Sequence, residues 1–292
     1  MYRKPDWAIE GRDWPHRSSS RFVEAGGLRW HVQMMGKGPP LLLLHGAGAA
    51  THSWRALAPL LADDFTLIAP DLPGHGFTAT PDNPQDLSLP GMAARIHDLL
   101  ATLAVAPCGV VGHSAGAAIA LRMSLDGLAS SAAVVSLNGA LLPFPGIAAH
   151  VFPPAARLLF LNPLAVRAFA WRAADTRRVE ALMRGTGSTI DAQGIAYYAR
   201  LFQTPGHLAG VLGMMSRWDL FTLRRDLPAL RTALTLIVGT KDRAIAPESA
   251  QEVMALVPTA RVVSLPGLGH LAHEESPRRT CAAILEALTP MR

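Results

Sequence analysis

The chain has 292 residues, half of them hydrophobic and 17% charged, with a formal net charge of +5. This apolar content suits one large α/β domain with an insertion better than two equal domains. Arginine carries almost all the positive charge, since lysine occurs only as Lys4, Lys37 and Lys241. The basic residues are scattered, without the aromatic-interleaved patch of a nucleic-acid binder, so no nucleic-acid partner is expected. Such a surface could favour an anionic membrane face or a carboxylate-bearing ligand, but it reads first as a plain solvated exterior of arginine-biased composition.

A polar, tryptophan-bearing lead-in runs to about residue 19 and has no apolar signal core, so no secretory signal is expected. An antiparallel hairpin follows over 21–24 and 28–33, turned at Gly26-Gly27. Strand 40–45, helix 53–62 and strand 65–70 form the first parallel unit. Helix 90–104 carries a stripe of Met92, Ile96, Leu99, Leu100 and Leu103 at helical spacing. Strand 108–113, helix 115–125 and strand 132–137 continue the alternation. No uncharged apolar stretch reaches the length of a membrane span. Cys108 and Cys281, the two cysteines, argue against a disulfide framework and for a reducing, cytoplasmic compartment.

From Asn138 to about Asp226 the alternation breaks. The composition becomes helical, rich in Ala, Leu, Arg, Phe and Met, and is punctuated by Pro143, Pro145, Pro153, Pro154, Pro163 and Pro205. Residues 138–226 are therefore expected to form a helical cap over a core built from 1–137 and 227–292. Leu141, Phe144, Met214, Met215 and Trp218 are its candidate pocket residues, and they imply a bulky apolar substrate. Strands over 233–239 and 260–265 resume the core.

The chemistry is concentrated at strand ends. Gly112-His113-Ser114-Ala115-Gly116 sits between an apolar strand and a small-residue helix, the context of a nucleophile elbow. Thr240-Lys241-Asp242 follows a buried strand, and Pro266-Gly267-Leu268-Gly269-His270 follows another. Nucleophile, acid and base thus arrive in the order Ser114, Asp242, His270. A serine hydroxyl is a poor nucleophile at neutral pH. His270 would take its proton, and Asp242 would hold the imidazole and stabilise the imidazolium. The strand 40–45 ends in His45-Gly46-Ala47-Gly48, so the backbone N–H groups of Ala47 and Ala115 are the candidate oxyanion donors. Rival readings are His273 as the base and Asp242 as an ordinary turn or helix-cap residue. His45, His75 and His113 read as hydrogen-bonded scaffold residues lining the pocket. His270 and His273 could be read as a metal pair, but no HExxH arrangement or third ligand accompanies them, so neither metal nor cofactor is expected.

Together these motifs resemble the α/β-hydrolase superfamily over essentially residues 20–290. Asp13-Trp14-Pro15, 27–33, 43–55, 111–118, 136–144 and 265–275 resemble, more narrowly, the magnesium-chelatase-associated α/β hydrolases encoded with bacteriochlorophyll biosynthesis. The resemblance implies an α/β-hydrolase fold: a mostly parallel eight-stranded sheet flanked by helices, with a helical cap inserted after the sixth strand. It also implies a role near magnesium insertion into a porphyrin, with chelatase subunits as candidate partners and a tetrapyrrole as candidate ligand. Arg55, Arg122, Arg157, Arg167 and Arg172 are then candidates for meeting its carboxylates. Two classes stay open: an esterase-type serine hydrolase, cytoplasmic or peripheral at the membrane, and a non-catalytic porphyrin-binding or delivery accessory.

Overall fold

A computed structural model describes residues 2–129, 131–143 and 162–289. Eight strands form one sheet in the order β1-β2-β4-β3-β5-β6-β7-β8. They are β1 Ser20–Ala25, β2 Leu28–Met35, β3 Pro40–Leu44, β4 Thr66–Pro70, β5 Gly109–His113, β6 Ala133–Leu137, β7 Ala233–Gly239 and β8 Arg261–Leu265. β1 pairs antiparallel with β2, and β2 with β4; every other pairing is parallel. The hairpin turn falls where the glycine pair predicts it, with Gly26 at φ 56° and Gly27 at φ 75°. A two-residue type I′ turn needs both central residues at positive φ.

Apolar residues run continuously through the central strands because both faces are covered. In β3, Leu42 and Leu44 join the core layer of Val110 and helices Leu89–Thr102 and Ala115–Leu125. Leu41 and Leu43 face the opposite layer, with Trp54, Leu57, Val111 and Ile284 of helix Pro277–Leu288. All four leucines are fully buried, each worth about 1.5–3 kcal/mol. Ser88 caps helix Leu89–Thr102, its hydroxyl accepting from the Gly91 N–H at 3.2 Å.

The expected helix over 53–62 is instead two pieces, a 3₁₀ turn Thr51–Trp54 and a short helix Ala58–Leu61. Pro59 has no N–H to donate to the Arg55 carbonyl, as a continuous helix would require. That carbonyl accepts from His16 Nε2 at 2.7 Å instead.

Between β6 and β7 the chain forms helices Pro163–Arg172, Thr176–Gly185, Ala192–Phe202, Pro205–Met215 and Leu220–Asp226. Asn162, Asp175, Asp191 and Asp219 cap four of them through their side-chain oxygens, which explains why this stretch breaks up where it does. Among the described residues no helix is long and apolar enough to cross a membrane.

The parallel register aligns the strand ends. Leu44 lies beside Gly112, Gly112 beside Ser136, Leu137 beside Ile237 and Gly239 beside Leu265. The segments that follow β3, β5, β6, β7 and β8 therefore gather on one carboxyl edge, where ligand crevices form in open α/β sheets.

Candidate functional site

Ser114 sits between β5 and helix Ala115–Leu125 with φ 51° and ψ −116°, outside the regions an L-residue adopts without cost. A turn of this kind costs about 1–3 kcal/mol and persists because its surroundings over-determine it. The Ser114 N–H donates to the Leu137 carbonyl at 3.0 Å, and its own carbonyl accepts from Ala117 and Ala140. The flanking glycines are steric requirements. A Cβ on Gly116 would lie 2.1 Å from the Leu44 carbonyl oxygen, and one on Gly112 would lie 2.5 Å from the Ala117 backbone. The first N–H groups of the helix have no intrahelical acceptor and carry its positive end, and Ala115, the candidate oxyanion donor, is the first residue of that helix.

His270 Nδ1 and Asp242 Oδ2 are 2.8 Å apart, with the carboxylate fully buried. The carboxylate can only accept when ionised, so the imidazole proton sits on Nδ1 and the bare Nε2 is the basic nitrogen. Asp242 Oδ1 accepts from the backbone N–H groups of Ala244 and Ile245 at 2.8 and 2.9 Å. Oδ2 also accepts from Asn138 Nδ2 at 2.8 Å. Asp242 thus makes turn contacts and meets His270 as well, so the two readings of this residue are not exclusive.

The loop after β3 approaches Ser114 closely. A Cβ on Gly46 would meet His113 Nδ1 at 2.8 Å and Ser114 Cβ at 3.1 Å. Leu72 N–H donates to His45 Nε2 at 2.9 Å, so His45 carries its proton on Nδ1 and donates to the Gly46 carbonyl at 2.8 Å. His113 Nε2 donates to the His270 carbonyl at 2.9 Å. Burial holds both imidazoles below the ordinary histidine range, that of His113 well below it. They fix loops as neutral rings.

Ser114, Ala115, Ala47 and His270 line one cavity of about 360 Å³. Met214, Met215 and Trp218 line it too, as their composition suggested, together with Leu220, Phe221 and Ile245. His45 and His113 are not among the lining residues; they stand behind the loop walls as scaffold. Leu141 lines a second, open groove of about 1130 Å³ alongside Lys241 and Asp242. Phe144 and Arg157 lie outside the described residues. His273, the rival base, is fully buried, packed 4.5 Å from the His113 ring, and pushed down to about 3 by burial. It does not line the cavity.

The arginines divide differently from expectation. Arg55 bridges Glu274 and Asp191, and Arg122 bridges Asp126 and Asp226, so both are structural partners of acids. Arg167 and Arg172 are exposed on helix Pro163–Arg172. Among the described residues no group of three or more metal-ligating side chains is gathered. Asn138 is not among the expected site residues; its signal is its position directly after β6, level with Ser114 after β5.

The fold and this arrangement define a class. Residues 41–284 match the profile of the alpha/beta hydrolase family, and the chain belongs to that family. It is similar to the magnesium-chelatase 30 kDa subunit of Rhodobacter capsulatus, at 39% identity over 278 residues, covering 94% of this chain and 96% of the relative. Among solved structures, an alpha/beta hydrolase fold protein from Burkholderia ambifaria superposes with a TM-score of 0.75 at 23% identity, over 98% of this chain and 100% of that one. A serine hydrolase involved in carbazole degradation, CarC, gives 0.75 at 22% identity, over 93% and 98%. At these identities the two structures share the fold alone.

Proposed function

We propose that the protein is a serine hydrolase of esterase type, with Ser114 as nucleophile, His270 as general base and acid, and Asp242 as its orienting carboxylate. The carrying observation is the 2.8 Å His270–Asp242 contact at the edge of a cavity that both His270 and Ser114 line. In this reading Ser114 Oγ attacks the acyl carbon as His270 takes its proton. The Ala47 and Ala115 N–H groups hold the oxyanion, where one such donor is worth about 3–4 kcal/mol. His270 then returns the proton to the leaving alcohol, and water repeats the sequence to release the acid.

Residues 138–226, read as a cap over a core of 1–137 and 227–292, supply Met214, Met215, Trp218 and Phe221 to the cavity wall. Such a lining favours an apolar acyl or alcohol group and keeps bulk water from the reacting centre. The volume is at the low end for small-molecule pockets, so a tetrapyrrole would present an ester-bearing edge and keep its macrocycle outside.

Similarity to a magnesium-chelatase subunit favours a second reading: an accessory that binds or delivers a porphyrin beside the chelatase components, with no turnover of its own. Metal insertion needs no acyl transfer, so under this reading Ser114 would be chemically silent. Labelling with a fluorophosphonate, read by intact mass and peptide mapping, separates the two. A stoichiometric adduct on Ser114 that is lost in His270→Ala supports the hydrolase. A folded protein that binds porphyrin yet takes no label supports the accessory.

A further inference from the structure

Four side chains arrive at the carboxyl edge directly after parallel strands or close to their ends: Ser114, Asn138, Asp242 and His270. Asn138 is fully buried and holds φ 48°, with its backbone N–H on the Ile237 carbonyl at 2.8 Å. Asparagine is one of the few residues that enters the left-handed region cheaply, and this could account for its presence through the backbone alone. The side chain does something the backbone does not require. Its Nδ2 donates to Asp242 Oδ2 at 2.8 Å, the same oxygen that accepts from His270 Nδ1 at 2.8 Å.

We propose that Asn138 is a positioning residue for the reaction: its amide locks the Asp242 carboxylate so that Oδ2 stays aimed at the His270 Nδ1–H. This rests on reading Ser114, Asp242 and His270 as a triad. The carboxylate is pinned on Oδ1 by the Ala244 and Ile245 N–H groups and on Oδ2 by Asn138. With donors on both oxygens it cannot turn about its Cβ–Cγ bond, so the imidazole tautomer and tilt are set before substrate arrives. The amide is also neutral at every working pH. A second carboxylate at this place would have to share a proton with Asp242 or, once ionised, repel it and lose the hold on Oδ2.

The test compares Asn138→Gly and Asn138→Asp with the wild type. Both replacements tolerate positive φ, so a purely backbone role predicts that neither matters. Turnover of p-nitrophenyl acetate is followed from mildly acid to mildly alkaline pH. Asn138→Gly should lower kcat by about tenfold or more at every pH with KM unchanged, as expected for losing a hydrogen bond to a charged group. Asn138→Asp should approach the wild-type rate as pH falls, because its carboxyl can donate to Asp242 while protonated, and should fall away as pH rises. If one variant fails to fold, the other still decides the matter. Wild-type kcat in the Gly variant, or a flat rate ratio for the Asp variant, overturns the proposal. A wild type inert to both the ester and a fluorophosphonate overturns the triad reading itself, an outcome distinct from active wild type with unaltered variants.

Discussion

The Nε2–H of His207 donates to the Gly48 carbonyl at 3.1 Å, so a side chain from the helices between β6 and β7 holds the loop that carries Ala47. The same ring accepts from the Gly76 N–H through Nδ1 at 3.0 Å. Since a backbone N–H can only donate, the tautomer is fixed. Helix Pro205–Met215 is pressed against these loops along a glycine seam, where a Cβ on Gly210 would sit 2.1 Å from the Gly74 carbonyl oxygen. Its far end delivers Met214 and Met215 to the cavity. One helix therefore sets both a wall of the cavity and the carbonyl next to the candidate oxyanion donor.

Replacing His207 with alanine should release Gly48 and strand the Gly76 N–H. We expect kcat on a short ester to fall by about tenfold, with stability lower by about 1–3 kcal/mol for the unsatisfied backbone donor. Steady-state kinetics and urea unfolding on the same preparation measure both. Full activity at reduced stability would show that the Ala47 N–H holds its place without this strut.

His270→Ala and His273→Ala should fail in different ways. The first removes the proposed base beside Asp242 and should reduce kcat by several orders of magnitude while leaving the fold in place, as expected for a member of a triad. The second empties a buried site behind the cavity, next to Trp54 at 4.9 Å and the His113 ring. It should lower the melting temperature with kcat changed little. Equal losses of kcat in the two purified, folded variants would mean that the base has been misassigned.

Tyr198 on helix Ala192–Phe202 donates its hydroxyl to Glu274 Oε1 at 2.8 Å, four residues beyond His270, while Arg55 holds the other carboxylate oxygen. Burial pushes the Glu274 carboxyl up to about 7, and leaving this buried acceptor without the tyrosine hydroxyl in Tyr198→Phe should cost about 1–3 kcal/mol. Differential scanning calorimetry would show it. An unchanged melting temperature would mean that Arg55 alone satisfies Glu274.

Much of this was legible because strand ends and glycines are local constraints. Gly112 and Gly116 are demanded by contacts within a few residues or by the adjacent strand, so the elbow could be read from a pentapeptide. The long-range pairings could not. The lead-in to residue 19 reads as a polar tail, yet Lys4 Nζ donates to the Gly74 carbonyl at 2.8 Å and Trp14 Nε1 to Thr51 Oγ1 at 2.9 Å. The Gly206 N–H also donates to the Arg3 carbonyl at 2.8 Å, tying that tail to helix Pro205–Met215. No periodicity announces such contacts. The arginines misled for a related reason: Arg55 and Arg122 find acids as far away in sequence as Glu274 and Asp226. Asn138 carried its signal in its strand-end position, but an amide has no titration or nucleophilicity to draw attention.

Six of the eight histidines buried among the described residues give the fold a definite response to acid. Burial lowers His45, drives His52, His75 and His113 well below the ordinary value, and takes His207 and His273 to about 3. In the unfolded chain each would titrate near pH ~6.5. The unfolded state therefore binds the extra protons, and their contribution to stability is complete above about pH 6.5 and is lost as pH falls below it. Each depressed histidine removes about 1.4 kcal/mol per pH unit in that window, until its own folded-state value is reached. Several acting together exceed a marginal folding free energy of about 5–15 kcal/mol within a few pH units. We expect a cooperative acid unfolding, with the melting temperature dropping steeply from neutral toward about pH 5. Proton uptake obtained from urea unfolding at stepped pH should exceed one, and His207→Ala should reduce it by about one proton. A melting temperature that stays level through this range would show that these rings can take protons in the folded state, and that burial does not keep them neutral.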